Sequence, residues 1–80
     1  MNNLGYSYLR EGEIEIALSV FKINVERYSD SWNVYDSYAE ALNLAGDSVG
    51  AIKNYELAKS KAPDEQKERI QQILSSIQSP

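Results

Sequence analysis

Residues 32–63 read WNVYDSYAEALNLAGDSVGAIKNYELAKSKAP and contain two amphipathic segments separated by the turn Ala45-Gly46-Asp47. Apolar or small residues recur every three or four positions on both sides of this turn, which is the spacing that lines one face of an α-helix. They are Tyr35, Tyr38, Ala39 and Leu42 before the turn, and Ala51, Ile52, Tyr55 and Ala58 after it. The stretch therefore predicts a helical hairpin.

The same pattern occurs 34 residues earlier in the chain. The matching residues there are Gly12, Ala17 and Phe21, which precede Gly46, Ala51 and Tyr55 by one period. A fixed period of this length, built from a pair of helices, is typical of helical repeat arrays. The sequence therefore predicts an all-α fold, an α-α superhelix of five helices, in a single domain over residues 1–80.

Glycine and proline set the expected ends of the helices. Gly12 and Gly46 are expected to close helices because only a residue that tolerates positive φ permits so short a turn. Pro63 is expected to end the fourth helix. The five predicted helices span residues 2–11, 14–28, 31–45, 48–61 and 64–78.

Polar side chains in the breaks predict helix starts. Asp30 or Ser31 is expected to cap the third helix and Asp47 the fourth, since their side-chain oxygens accept hydrogen bonds from the first helical N–H groups. Gly50, close to the start of the fourth helix, weakens it relative to alanine. We interpret this glycine as a point where two helix backbones pack closely.

Charge and composition exclude several classes of partner. The net charge is −4 with a pI near 4.6, which argues against nucleic acid or an anionic membrane as the main partner. No apolar run approaches the roughly 20 residues that span a bilayer, and the N-terminus does not read as a secretion signal. The compartment stays open because the chain has no cysteine. It is cytoplasmic by default and periplasmic if the parent protein is secreted.

Catalytic and metal-binding residue types are scarce. The chain contains neither histidine nor cysteine, which removes the usual general base, the thiol nucleophile and the ordinary zinc ligands. Asp36 and Glu40 lie one turn apart, but we expect this carboxylate pair to be solvated surface. No glycine-rich phosphate loop or calcium loop occurs. We therefore expect no enzymatic activity, no metal site and no cofactor.

These features resemble tetratricopeptide repeats. Units of that family carry Leu-Gly and Tyr in the first helix, then Ala, an aromatic residue, a second Ala and Pro in the second. The first unit, residues 1–31, carries Leu4, Gly5, Tyr8, Gly12, Ala17 and Phe21; the second, residues 32–65, carries Tyr35, Tyr38, Ala39, Leu42, Gly46, Ala51, Tyr55, Ala58 and Pro63. A capping helix over residues 64–78 follows. Asn24 and Ser29 depart from the pattern, standing where Ala and Pro are expected.

The amino-acid sequence of residues 21–40 is also similar to repeats that are appended to some bacterial serine hydrolases of the esterase and β-lactamase-like kind. This second resemblance implies an accessory C-terminal domain whose catalytic partner lies elsewhere.

The tetratricopeptide resemblance implies a concave groove lined by the first helix of each unit. Carried over position by position, its residues are Asn2, Tyr6, Leu9 and Arg10 from the first unit, and Asn33, Asp36, Ser37, Glu40 and Asn43 from the second. Some members bind a peptide's C-terminal carboxylate with basic residues, but Asp36 and Glu40 are negatively charged and would repel a carboxylate. The groove instead suits an extended peptide with a basic side chain near Glu40.

Two functions follow as expectations. The leading one is a protein-interaction module that binds an extended peptide or partner segment in the groove. The alternative is a structural domain that docks on another part of a larger protein, such as a bacterial hydrolase, or associates with itself. In that case bare apolar residues at the N-terminal end are contact surface, namely Leu4, Ile14, Ile16 and Val20.

Overall fold

The computed structural model describes Tyr8 and residues 10–78. Within these residues the chain forms four α-helices and no strand: α1 Ile14–Arg27, α2 Trp32–Leu44, α3 Ser48–Lys61 and α4 Asp64–Gln78. The all-α class is confirmed, with four helices in place of the five predicted. The remaining predicted helix, over residues 2–11, lies largely outside the described residues. The other predicted boundaries differ from the observed ones by at most one residue.

The turn between α2 and α3 depends on Gly46, whose φ is +90°. The Asp47 N–H donates to the Leu42 carbonyl at 2.9 Å, and the Gly46 N–H donates to the Asn43 carbonyl at 3.1 Å. This pair of bonds is the Schellman motif, which satisfies the last carbonyls of a helix and requires a left-handed residue. The predicted role of Gly46 is confirmed.

The turn before α1 has the same chemistry. Gly12 has a φ of +83°, and the Glu13 N–H donates to the Tyr8 carbonyl at 2.8 Å, the counterpart of the bond between Asp47 and Leu42. Tyr8 and Arg10 are themselves helical. Two turns 34 residues apart therefore share a left-handed glycine and the same backbone hydrogen bond, which joins residues five positions apart.

Helix starts agree with the predictions only in part. The Asp47 side chain accepts a hydrogen bond from the Gly50 N–H at 2.9 Å, so the predicted cap of α3 is confirmed. Ser31 stands at the start of α2, but its side chain makes no capping hydrogen bond. Gly50 also differs from its interpretation: a Cβ atom there would lie 2.6 Å from Asp47 Oδ2. This glycine makes room for the capping carboxylate rather than for another helix.

The core lies where the helices stack. α2 packs against both α1 and α3, and α4 packs against α3. Two aromatic residues that are 34 positions apart are buried alike: Phe21 is fully buried, and Tyr55 is 4% exposed. Ala17 and Ala51 are also fully buried, and such small side chains let neighbouring helices approach closely. α4 contributes Ile70 and Leu74, which lie one turn apart on the same face.

One buried stripe was not predicted. Val34, Ser37 and Ala41 lie on a single face of α2 and are all buried, and Ala41 shares a cluster with Ala17 and Phe21 of α1. Ala41 of this second stripe faces α1, whereas Val34 joins the predicted stripe of α2 in the core shared with α3 and α4. α2 is therefore held on two sides. None of the four described helices is long and apolar enough to cross a bilayer.

Candidate peptide-binding surface

The exposed part of α2 gathers most of the groove residues predicted from the second unit. Asn33, Glu40 and Asn43 are exposed, and Asp36 is partly exposed. With Trp32 they span about 100° of the helix circumference, since successive residues are about 100° apart. We call these five residues the α2 surface. Because α2 is packed against both α1 and α3, this surface lies on a fixed element.

Ser37 does not belong to the α2 surface. It was predicted to line the groove, but it is only 4% exposed. Its position explains this, because it lies three residues after Val34 and four before Ala41, both of which are buried. The Ser37 hydroxyl is therefore part of the packing of α2 and is not accessible to a peptide.

Of the groove residues predicted from the first unit, only Arg10 lies within the part of the chain that the structure describes. Arg10 is exposed and helical. Asn2, Tyr6 and Leu9 lie outside the described residues, so their place in a groove stays a prediction.

Arg69 of α4 reaches the α2 surface. Its Nη2 atom donates to Asp36 Oδ2 at 3.0 Å, and its Nε atom donates to Gln66 Oε1 at 2.9 Å. The centre of the guanidinium lies 6.0 Å from the ring centroid of Trp32. One cation thus contacts an acid and an aromatic ring that lie one turn apart on α2, and it is positioned by a residue of its own helix.

Solvent reaches both partners of this ion pair. The Arg69 side chain is 45% exposed and the Asp36 side chain 19%. Ion pairs of such exposure contribute only about 0.2–1 kcal/mol to folding. The guanidinium is at the outer limit of contact with the partly buried Trp32 ring, and such a contact near the surface adds about 0.5–1 kcal/mol at most. The contact therefore orients the two side chains without being essential to the fold.

The charge of α2 has one sign. Its only ionisable acids and bases apart from the tyrosines are Asp36 and Glu40, so the helix carries two negative charges and no positive one. The nearby cations come from other helices: Arg69 pairs with Asp36, and Lys61 Nζ lies 5.7 Å from the ring centroid of Tyr35. The α2 surface is thus an acidic, amide-rich strip with a cation at its edge.

The contact of Arg69 with Asp36 was not predicted from the sequence. A signal was present, because the two residues are 33 positions apart, close to one period of 34. In a stacked repeat, residues about one period apart lie on neighbouring units. Opposite charges at that separation are therefore candidates for contact.

A second exposed surface lies on α1. Ile16 is 43% exposed and Ile23 is 49% exposed. They are two helical turns apart, with the partly buried Val20 between them, so the three share one side of α1. Ile14 is also partly buried, and Leu4 lies outside the described residues.

Acidic residues of the described part do not converge on a metal site: no group of three or more histidine, cysteine, aspartate or glutamate side chains there is arranged to hold an ion. Comparison with protein-family models, with curated proteins and with solved structures finds no match for this chain. The features of the chain that bear on its function are therefore the 34-residue period, the two glycine turns and the α2 surface.

Proposed function

We propose that the chain is a tetratricopeptide-like module that binds an extended basic segment of a partner protein along the α2 surface. Two features support the repeat assignment. The Gly12 and Gly46 turns have the same backbone bond at a separation of 34 residues, and Phe21 and Tyr55 are buried one period apart. In this proposal the helical hairpins stack as a short superhelix, and α4 is its capping helix.

The observation that carries the binding proposal is the chemistry of the α2 surface. Asn33 and Asn43 offer amide side chains that both donate and accept hydrogen bonds, as the backbone of an extended peptide requires. Asp36 and Glu40 lie between them on the same side of the helix. Carboxylates attract a basic side chain and disfavour an acidic one, so they supply specificity and orientation.

The packing of α2 favours this role. A surface that is fixed before the partner arrives loses little conformational entropy on binding. α2 is buried along two sides, through Ala41 towards α1 and through Ala39 towards α3, so its exposed side chains project from a rigid helix. In this proposal the module presents a surface and catalyses nothing, without metal or cofactor, and an acidic strip of this kind does not suit nucleic acid or an anionic membrane.

A positional-scanning array of nine-residue peptides tests the preference for a basic segment. We expect arginine or lysine to be favoured over glutamate at one or two positions, with binding that weakens as salt is added. Amide chemical shifts of the labelled protein should then change along the α2 surface. Changes confined to the outward side of α3, around Lys53 and Glu56, would overturn the proposal.

The exposed side of α1 supports a second candidate function, in which the chain docks on another domain of a larger protein or on a second copy of itself. Ile16 and Ile23 would be buried in that contact. Sedimentation over a concentration series tests self-association. A dimer that dissociates into monomers when Ile16→Ser and Ile23→Ser are combined would support it. A monomer at the highest concentration would exclude the second copy and leave docking on a different domain.

A further inference from the structure

We infer that Trp32 and Asp36 form a recognition point for an arginine side chain of the partner, and that Arg69 occupies this point from within the chain until the partner displaces it. The inference rests on the proposed function, since it requires that a peptide binds along the α2 surface. It specifies the residue that the peptide must carry and the internal contact that opposes binding.

The geometry around Arg69 shows what the recognition point accepts. Trp32 and Asp36 are four residues apart on α2 and therefore lie on the same side, one turn apart. The carboxylate accepts an N–H of the guanidinium at 3.0 Å while the indole ring lies 6.0 Å from the guanidinium carbon. A planar cation uses both groups at once, because its edge donates hydrogen bonds and its face contacts the ring.

A lysine fits the same groups less well. An ammonium is a compact and strongly hydrated charge, so it pairs with Asp36 without stacking on Trp32. We therefore expect the recognition point to prefer arginine over lysine. The part of the preference that comes from the ring is lost when Trp32 is replaced by leucine.

The contact made by Arg69 is open to exchange. Both side chains are accessible to solvent, at 45% for Arg69 and 19% for Asp36, so an incoming guanidinium can approach before the internal one leaves. A protein whose binding-competent state is only partly populated has its affinity reduced by that fraction. Arg69 is therefore expected to lower the affinity for an arginine peptide several-fold, without abolishing binding.

Glu40 suggests a second basic residue in the partner. It follows Asp36 by four positions, which places the two Cβ atoms about 5–6 Å apart on the helix surface. In an extended peptide, side chains two residues apart point to the same side at a spacing of about 7 Å. A segment with two arginines separated by one residue therefore matches both carboxylates.

The test uses one nine-residue probe, the acetylated and amidated peptide ASARSRASA, with its lysine analogue ASAKSKASA. Titrations follow the amide shifts of the whole chain and the indole signal of Trp32, which is the single tryptophan of the sequence. Arg69→Gln should tighten binding of the arginine peptide by about threefold, a gain of the size expected from releasing a weak exposed ion pair. Asp36→Asn should weaken that binding about tenfold and leave only the part of the preference for arginine that comes from the Trp32 ring.

Lys53→Gln is the matched control, because it removes one positive charge from an exposed position on α3. It should change the affinity by less than half as much as Arg69→Gln does. Arg69→Gln must also leave the thermal unfolding temperature nearly unchanged, which separates release of the recognition point from a change in folding.

The outcomes distinguish this inference from the proposed function. If the arginine peptide shifts the α2 surface but Arg69→Gln binds no more tightly than Lys53→Gln, the recognition point is wrong and the peptide-binding function survives. If neither the wild type nor Arg69→Gln binds the peptide along α2, both are overturned. Binding along α2 that is about threefold tighter for Arg69→Gln than for the wild type, with a smaller change for Lys53→Gln, supports both.

Discussion

A Cβ atom at Gly50 would lie 2.6 Å from Asp47 Oδ2, because the carboxylate that caps α3 occupies that space. The same carboxylate accepts the Gly50 N–H through its other oxygen at 2.9 Å. The glycine and the cap are therefore one structural unit. This relationship offsets the stabilisation that alanine usually brings to a helix.

Gly50→Ala should change the free energy of unfolding by less than about 0.5 kcal/mol. The gain in helix propensity, up to about 1 kcal/mol, is offset by disturbance of a cap of similar value. In the Asp47→Ala background Gly50→Ala should raise the free energy of unfolding by close to the full gain in helix propensity, up to about 1 kcal/mol. Urea unfolding of the four proteins in this double-mutant cycle measures the coupling. Equal effects in both backgrounds would show that the cap and the glycine are independent.

Gly46→Ala should destabilise the chain by about 1–2 kcal/mol. Its φ of +90° is a left-handed conformation that a Cβ atom opposes, although no other atom crowds the site. Gly46→Asn is the matched variant and should lose less, because asparagine tolerates this conformation better. Urea unfolding monitored by circular dichroism gives both values. An alanine variant as stable as the wild type would contradict the assigned turn.

Phe21→Leu should lower the free energy of unfolding by about 1–2 kcal/mol, because a fully buried ring is replaced by a smaller side chain that leaves a cavity. Tyr28→Leu is the control. Tyr28 follows α1 directly and is 57% exposed, so its replacement should stay within about 0.5 kcal/mol of the wild type. Similar losses for the two variants would mean that Phe21 does not anchor the stacking of α1 on α2.

The helices and their turns were largely predictable because they depend on local chemistry. Gly46 and Asp47 signal a helix end and a helix start by their residue types alone, and the period of 34 places Gly12 in the same role. Aromatic residues at helical spacing marked Phe21 and Tyr55 as core. These signals require no knowledge of which helices are neighbours.

The second buried face of α2 was not predictable from the same pattern. Ser37 and Ala41 contribute little hydrophobicity, so a search for apolar periodicity assigns them to no face, and Ser37 was taken for a groove residue. Ala41 is buried because α1 packs against α2 from that side, a tertiary contact, and Ser37 lies one turn before Ala41 on the same face. Small residues at helical spacing, next to a stripe of aromatic residues, are the sequence pattern that indicates such a contact between helices.

The surface residues were partly predictable. Asn33, Asp36, Glu40 and Asn43 share one side of α2 because helical spacing requires it. The ion pair between Asp36 and Arg69 joins two helices that are far apart in sequence, so it depends on how the helices stack rather than on any local pattern. Asn33→Ala should weaken peptide binding modestly without loss of helicity, since in the proposed complex it removes only an amide that hydrogen-bonds to the peptide backbone.

The most direct test of peptide binding on α2 compares two charge reversals, Glu40→Lys and Glu56→Lys, in calorimetric titrations with the peptide ASARSRASA. Both residues are exposed and both variants gain the same net charge, but Glu40 lies on α2 and Glu56 on the outward side of α3. We predict that Glu40→Lys weakens binding about tenfold, since like charges across an interface repel, while Glu56→Lys changes the affinity less than twofold. Equal affinities for the two variants, with helicity intact in both, would contradict the account.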